Sequence, residues 1–347
     1  MMAEPVDDLL FVELLGGFGD LLLALPALDA LARSHPAARL RVLTFAPGAD
    51  LLAADPRLHR VVALRDHRGS AVRAALCAEL DRLRPDFVVT TTRHSGIPDL
   101  LAHRGVPAVD DLWRHPPGNE PVDARFVRLL ALHGAIAPDL VDASPPRRTG
   151  LVRLTGAERA EGRALLAVLV ADADAAGLGR VGGPPVVLIP DAGMAVKRWP
   201  WHRWRALATL LADAGHPVLC LSPGSGLLAG AVPALGLRPL AALFTAVAER
   251  DGIAVGGDTG PTRLAAAMGA RAVGLYGPTS AARYGLHLPG TVNLQGLPGC
   301  PVRRPADITR QTCWWDAYCP LDPAGPACLA DLTVGRVADA VHEVASR

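Results

Sequence analysis

Aromatic residues are scarce in this chain. They make up 4% of its 347 residues, whereas half the chain is hydrophobic, and the surplus is mostly Ala, Leu and Val. That balance disfavours an aromatic-rich sandwich and favours helices packed on buried parallel strands. A surplus of one charge is missing too. The formal net charge is +1, and no run of Lys and Arg is long enough to track a nucleic-acid backbone. No stretch reaches the roughly eighteen uncharged apolar residues that a membrane span needs. The apolar start, MMAEPVDDLLFVELLGGFGD, carries acids where a signal peptide carries bases, and Glu13 and Asp20 interrupt it. The expectation is a globular, cytoplasmic protein with no nucleic-acid partner and no transmembrane segment, with peripheral membrane contact left open.

Cys-x-x-Cys knuckles are absent. Cys77 and Cys220 stand alone in apolar helix and strand patterns, as small core residues. Cys300, Cys313, Cys319 and Cys328 gather in a Pro-rich tail; packing within that loop is the first reading, with structural zinc or disulfides as alternatives. No Asp-x-Asp to hold a metal ion is expected.

What is present is alternation. LLFVELL (9–15) reads as a strand and DLLLALPALDALARSHP as a helix; RLRVLTF (39–45), RVVAL (60–64), the helix SAVRAALCAELDRLRP and DFVVTTT (86–92) follow. The segment LWRHPPGNEPVDARF breaks the rhythm, helices resume, and RVGGPP (180–185) is the best linker. Beyond it the pattern restarts with VVLIP, WHRWRALATLLADAG, PVLCLSPGSG, LAALFTAVAER, GIAVGGD, GPTRLAAAMGA and AVGLYGPT. At the end, Val334, Val337, Val341 and Val344 recur at helical spacing. At this length two domains are the natural prior. The predicted architecture is α/β: two Rossmann-like, doubly wound parallel-sheet domains facing an interdomain cleft. Residues 1–179 form the first domain, 180–330 the second, and 331–347 a last helix able to pack back on the first.

Three corners carry chemistry. In LLGGFGDLLLALPAL, glycines let the chain turn beside the sheet's carboxyl edge, but the spacing is not G-x-G-x-x-G, so a nicotinamide cofactor is poorly supported. Asp20 there is either an N-cap or a base facing the cleft. In IPDAGMAVKRWPWHRW, Lys197 and Arg198 lie at the edge where open α/β sheets bind ligands, while Trp199, Trp201 and Trp204 are assigned to packing. In GGDTGPTRLAAAMGARAVGLYGPT, Asp258 ends a strand, Thr259 and Gly260 open a helix whose amides favour an anion, and Arg263 follows one turn in. The alternative for Asp258 is a helix cap.

These motifs, with CWWDAYCPLDPAGPACLADLTVGRV near the end, resemble in order the signature of glycosyltransferase family 9, the ADP-heptose:lipopolysaccharide heptosyltransferases. The resemblance spans nearly the whole chain. It implies a GT-B fold and inverting, metal-independent transfer of a heptose from ADP-heptose to an acceptor hydroxyl, with no cofactor beyond the ADP-sugar. The acceptor would be a lipopolysaccharide core, another glycan or a secondary metabolite. By the same resemblance Asp20 is the catalytic base, flanked by Gly17 and Gly19 on the acceptor side. Lys197, Arg198, Asp258, Thr259, Gly260 and Arg263 bind the donor, and Gly193, Ser222, Tyr276 and Gly277 wall its pocket. One departure stands out: Arg263 replaces the family's usual histidine. A sugar-nucleotide epimerase or hydrolase, or a non-catalytic nucleotide-sugar-binding protein, are the competing functions.

Overall fold

The computed structural model describes residues 6–92, 94–110, 112–114, 116–142, 148–180, 183–221 and 232–347. The chain divides into two compact units, one comprising Met1–Pro116 and Val122–Arg153, the other Pro117–Pro121 and Leu154–Arg347.

In the first unit, β1 (Asp8–Glu13) leads to α1 (Phe18–Ser34) and β2 (Arg39–Phe45); β3 (Leu58–Leu64), α2 (Gly69–Arg82), β4 (Phe87–Thr90), α3 (Ile97–His103), β5 (Ala108–Val109), α4 (Val122–Leu132) and α5 (Asp139–Asp142) complete it. Among the described residues its sheet has five parallel strands in the order β3-β2-β1-β4-β5. β1 is central and buried along its whole length, as its unbroken apolar run requires. Asp8 on this strand survives burial because Arg41 on β2, itself 1% exposed, binds it and also reaches Glu79 Oε2 at 3.2 Å.

The second unit holds α6 (Gly156–Ala175), β6 (Val186–Ile189), α7 (Trp201–Asp213), β7 (Val218–Cys220), α8 (Leu237–Ala248), β8 (Ile253–Gly257), α9 (Gly260–Ala267), β9 (Arg271–Tyr276), α10 (Ala281–Tyr284), β10 (Thr291–Gln295), α11 (Ala327–Ala330) and α12 (Val334–Ala345). Its described sheet is again five parallel strands, ordered β7-β6-β8-β9-β10. Both orders are doubly wound, and each has one point where the winding reverses: between β1 and β4 in the first unit, between β6 and β8 in the second. The carboxyl ends of those strand pairs are where such sheets bind ligands.

Two domain assignments need correction. The first unit ends at Arg153, not at residue 179, because α6 belongs to the second unit. Thr155 caps α6 in a capping box with Glu158, and Arg238 at the start of α8 pairs with that same glutamate. Gly162 brings the backbones of α6 and α8 together: a Cβ there would lie 2.3 Å from the Ala242 carbonyl oxygen. The last helix also stays with the second unit. Its Val337, Val341 and Val344 are fully buried in one core with Trp204 and Leu211 of α7. Within the proposed linker at 180–185, Val181 and Gly182 lie outside the described residues.

Replacing a helical glycine with alanine ordinarily gains about 1 kcal/mol of helix propensity. At Gly162 the backbone contact reverses the sign, and overpacking costs about 1–3 kcal/mol. Gly162→Ala is expected to lower the melting temperature of the second unit; an unchanged or higher value would show that the α6–α8 contact yields freely.

Candidate functional site

In the first unit, β1 ends at Glu13 and a short turn through Gly16 and Gly17 leads into α1 at Phe18. Gly17, not Asp20, is the N-cap residue of this helix. Asp20 is the third residue of the helix, with its amide donating to the Gly17 carbonyl at 2.9 Å. Its carboxylate folds back over the turn. A Cβ at Gly16 would sit 2.3 Å from Asp20 Oδ2, so glycine at that position is what makes room for the acid. Gly17 is exposed and Gly19 half-buried.

Sequence reasoning noted Glu13 as a break in an apolar run but gave it no role. The structure places it at the same turn. It is 1% exposed, and its carboxyl oxygens accept from the Leu15 amide and the Thr44 hydroxyl, both at 3.1 Å. Burial, and then the neighbouring Asp20, push its pKa up to about 8, against the opposing pull of those two hydrogen bonds. At neutral pH Glu13 is therefore an uncharged acid, and Asp20 does not face a second negative charge from it.

In the second unit, the two strands at the winding reversal each end in a charged corner. After β6, the loop runs through exposed Gly193 to a 3₁₀ turn, Ala195–Lys197. After β8 comes Asp258, then Thr259 as the N-cap of α9 in extended conformation. Lys197 Nζ donates to Asp258 Oδ2 at 2.9 Å and to the Asp258 carbonyl at 3.2 Å. Arg263 Nη2, one turn into α9, donates to Asp258 Oδ1 at 3.1 Å and to the Tyr284 carbonyl at 2.7 Å. Burial alone would raise the Asp258 pKa, but Lys197 and then Arg263 outweigh it and hold the carboxyl below its ordinary value. Asp258 is thus an ionised clamp for two cations rather than a cap on α9. No side chain caps that helix; the Thr259 hydroxyl instead meets the Thr262 hydroxyl at 3.0 Å. The corner combines an uncapped helix start with two cations against one carboxylate, a combination suited to an anion.

Other assigned residues fare differently. Arg198 is exposed, and its Nε donates to the Ala192 carbonyl of its own loop at 3.2 Å. Tyr276 does not form an open pocket wall: it is 1% exposed and packs behind the corner. Gly277 is buried too, its carbonyl accepting from Arg303 Nη2 at 2.8 Å. Ser222 lies outside the described residues. Trp199 and Trp204 pack in the core, edge to face at 4.9 Å, as the sequence suggested. A stronger signal for the site went unread: Lys197 is the sole lysine in the sequence, where every other long basic side chain is arginine.

Among the described residues, all six cysteines are free and no group of three or more His, Cys, Asp or Glu is arranged to hold a metal ion. Cys300, Cys313, Cys319 and Cys328 do converge, lining one small cavity in the tail. Burial pushes the Cys328 thiol up to about 12. The chain does contain one Asp-x-Asp spacing, Asp172 and Asp174, but it lies on the exposed face of α6.

Residues 164–297 match the family model for glycosyltransferase family 9 (heptosyltransferase). No curated protein matches the chain by sequence. Solved structures match over its whole length. A glycosyl transferase family 9 protein from Veillonella parvula gives a TM-score of 0.71 at 14% identity, covering 100% of this chain and 99% of that one. The Escherichia coli ADP-heptose LPS heptosyltransferase II gives 0.64 at 16%, covering 98% of each. E. coli heptosyltransferase WaaC with ADP-2-deoxy-2-fluoro heptose gives 0.63 at 16%, covering 96% of this chain and 99% of that one. The fold is the one those GT-B glycosyltransferase structures share. The second unit, from inside α6 to just past β10, carries the family 9, heptosyltransferase-like segment.

The buried acid at position 13 sets a pH dependence. Its folded pKa of about 8 lies above its ordinary value of 4.5, so its contribution to stability is complete below 4.5 and is lost as pH rises through about 8. Native protein is expected to lose melting temperature across that window relative to Glu13→Gln, whose curve is flatter. Parallel curves from pH 5 to 9 would contradict the assignment of a neutral Glu13.

Proposed function

We propose that this chain transfers a heptose, or a related sugar, from an ADP-sugar to an acceptor hydroxyl, with inversion and without a metal ion. The observation that carries the reading is the Lys197–Asp258–Arg263 cluster beside the uncapped start of α9, inside the segment that matches family 9. The donor preference for ADP-heptose is drawn from the E. coli proteins, one named for ADP-heptose and the other solved with ADP-2-deoxy-2-fluoro heptose.

In this reading the diphosphate lies on the first-turn amides of α9 at Thr259 and Gly260, with Lys197 donating to it. Arg263 adds its charge through Asp258, and Asp258 orients sugar hydroxyls. Arg198 contacts the donor and Gly193 walls its pocket, both from the loop after β6. The acceptor oxygen attacks the anomeric carbon as the bond from that carbon to the phosphate oxygen breaks. Asp20 takes the acceptor's proton, and ADP leaves with the bonding electron pair. A positioned carboxylate base supplies roughly 10²–10⁴-fold in rate. The cations and helix amides relieve the growing charge on the leaving diphosphate, the part a divalent metal plays in other sugar transferases. The acceptor would be a lipopolysaccharide core, another glycan or a small secondary metabolite, and the reaction would take place in the cytoplasm. Arg263 in the place of the family's histidine is the feature that favours the second reading, a nucleotide-sugar-binding protein without turnover.

Binding and transfer separate these roles. Lys197→Met is expected to weaken ADP binding about tenfold or more, the scale of a hydrogen bond to a charged group. Asp20→Asn is expected to bind ADP-heptose normally while losing transfer to a heptose-free lipopolysaccharide core. ADP release without acceptor would point to a hydrolase, binding without release to any acceptor would point to the second reading, and turnover by Asp20→Asn would remove the base.

A further inference from the structure

The tail between β10 and α11 is mostly irregular, yet it is firmly braced. Arg303 donates to the carbonyls of Gly277, Gly296 and Pro298, tying the tail to the end of β9. Gln311, 2% exposed, accepts from the Arg304 amide at 2.8 Å and donates to the Ile308 carbonyl at 3.2 Å. The Trp314 amide in turn donates to the Gln311 carbonyl at 3.0 Å. Cys313 and Trp314 then pack into an apolar cluster around Val196, the residue immediately before Lys197. Trp314 is 6% exposed, and the Lys197 ammonium stands 5.2 Å from the centre of its ring. Lys197 is thus held from two sides, by the Asp258 carboxylate and by an aromatic face. Its own side chain remains 19% exposed.

We propose that Trp314 is a positioning residue for the donor diphosphate, its ring fixing the direction of the Lys197 ammonium. A lysine has four rotatable side-chain bonds, and the carboxylate and carbonyl oxygen of Asp258 hold the ammonium from one side only. An aromatic face attracts the cation without taking any of its three N–H donors. Asp258 takes two of those donors, through its carboxylate and its carbonyl oxygen, and the ring closes a further direction, which leaves the third donor for an anion. The irregular tail thereby gains a function: it carries the ring to the lysine. The inference rests on Lys197 contacting the diphosphate, and its test separates the two.

Because Lys197 is the sole lysine, protein labelled with ¹³C-lysine gives a single lysine side-chain Cε–Hε resonance. In the native chain this signal is expected upfield of free lysine through the ring current of Trp314, and it should move when ADP is added. Trp314→Met, with a melting temperature checked against native, is expected to return it toward the free-lysine position and to weaken ADP binding about threefold to tenfold, the scale of one partly buried cation–π contact. Trp314→Phe, which keeps a ring, is expected to restore most of the affinity and stands in if the methionine variant does not fold. In a Lys197→Met background, Trp314→Met should have no further effect. Additive losses, or full ADP affinity in Trp314→Met, would overturn the role of the ring while leaving the lysine contact intact. Unchanged affinity in Lys197→Met alone would overturn the lysine contact, and the proposal with it.

Discussion

The second unit is organised around a carboxylate that cannot be left alone. Asp258 is almost wholly enclosed at the end of β8, with cations at 2.9 and 3.1 Å on its two oxygens. Removing either partner from such a buried cluster typically costs about 3–5 kcal/mol, because the remaining charge is left without compensation. That requirement couples three otherwise separate segments: the turn after β6, the first turn of α9 and the end of α10 at Tyr284. The strand order makes the coupling possible. β6 and β8 are neighbours across the winding reversal, so their carboxyl ends bring Lys197 and Asp258 side by side.

The first unit applies the same topological rule with opposite charge. At the end of β1 two carboxyl groups share one glycine turn, and burial sets the protonation of the inner one. Glu13, enclosed, keeps its proton through neutral pH, while Asp20 beside it is half-exposed. The two units thus offer complementary chemistry. One presents a half-exposed carboxylate at its glycine turn, the other a cationic corner beside an uncapped helix start.

Much of this was legible in the sequence, for physical reasons. Buried parallel strands are written as continuous apolar runs, and RLRVLTF matched β2 residue for residue. Asp258, Thr259 and Lys197 stood out because their corners interrupt such runs. What escaped depended on contacts between distant residues. Nothing local says that Gly162 touches Ala242, and so the helix 156–175 was assigned to the wrong unit. Tyr276 looked like a pocket wall because its neighbours in sequence are site residues, whereas its ring turns into the core. β5, two residues long, and β10, half-buried throughout, lack the apolar signature that reveals the other strands. Trp314 sits in a segment with no periodicity to read, and only its approach to Lys197 gives it meaning.

The central claim is that an ADP-sugar is held by its diphosphate at the Lys197–Asp258 corner. The most direct measurement is a crystal structure of the chain soaked with ADP-heptose. The account predicts a phosphate oxygen within hydrogen-bond distance of Lys197 Nζ and of the first amides of α9, with the sugar hydroxyls toward Asp258. A nucleotide bound elsewhere on the chain, with that corner unchanged, would contradict it.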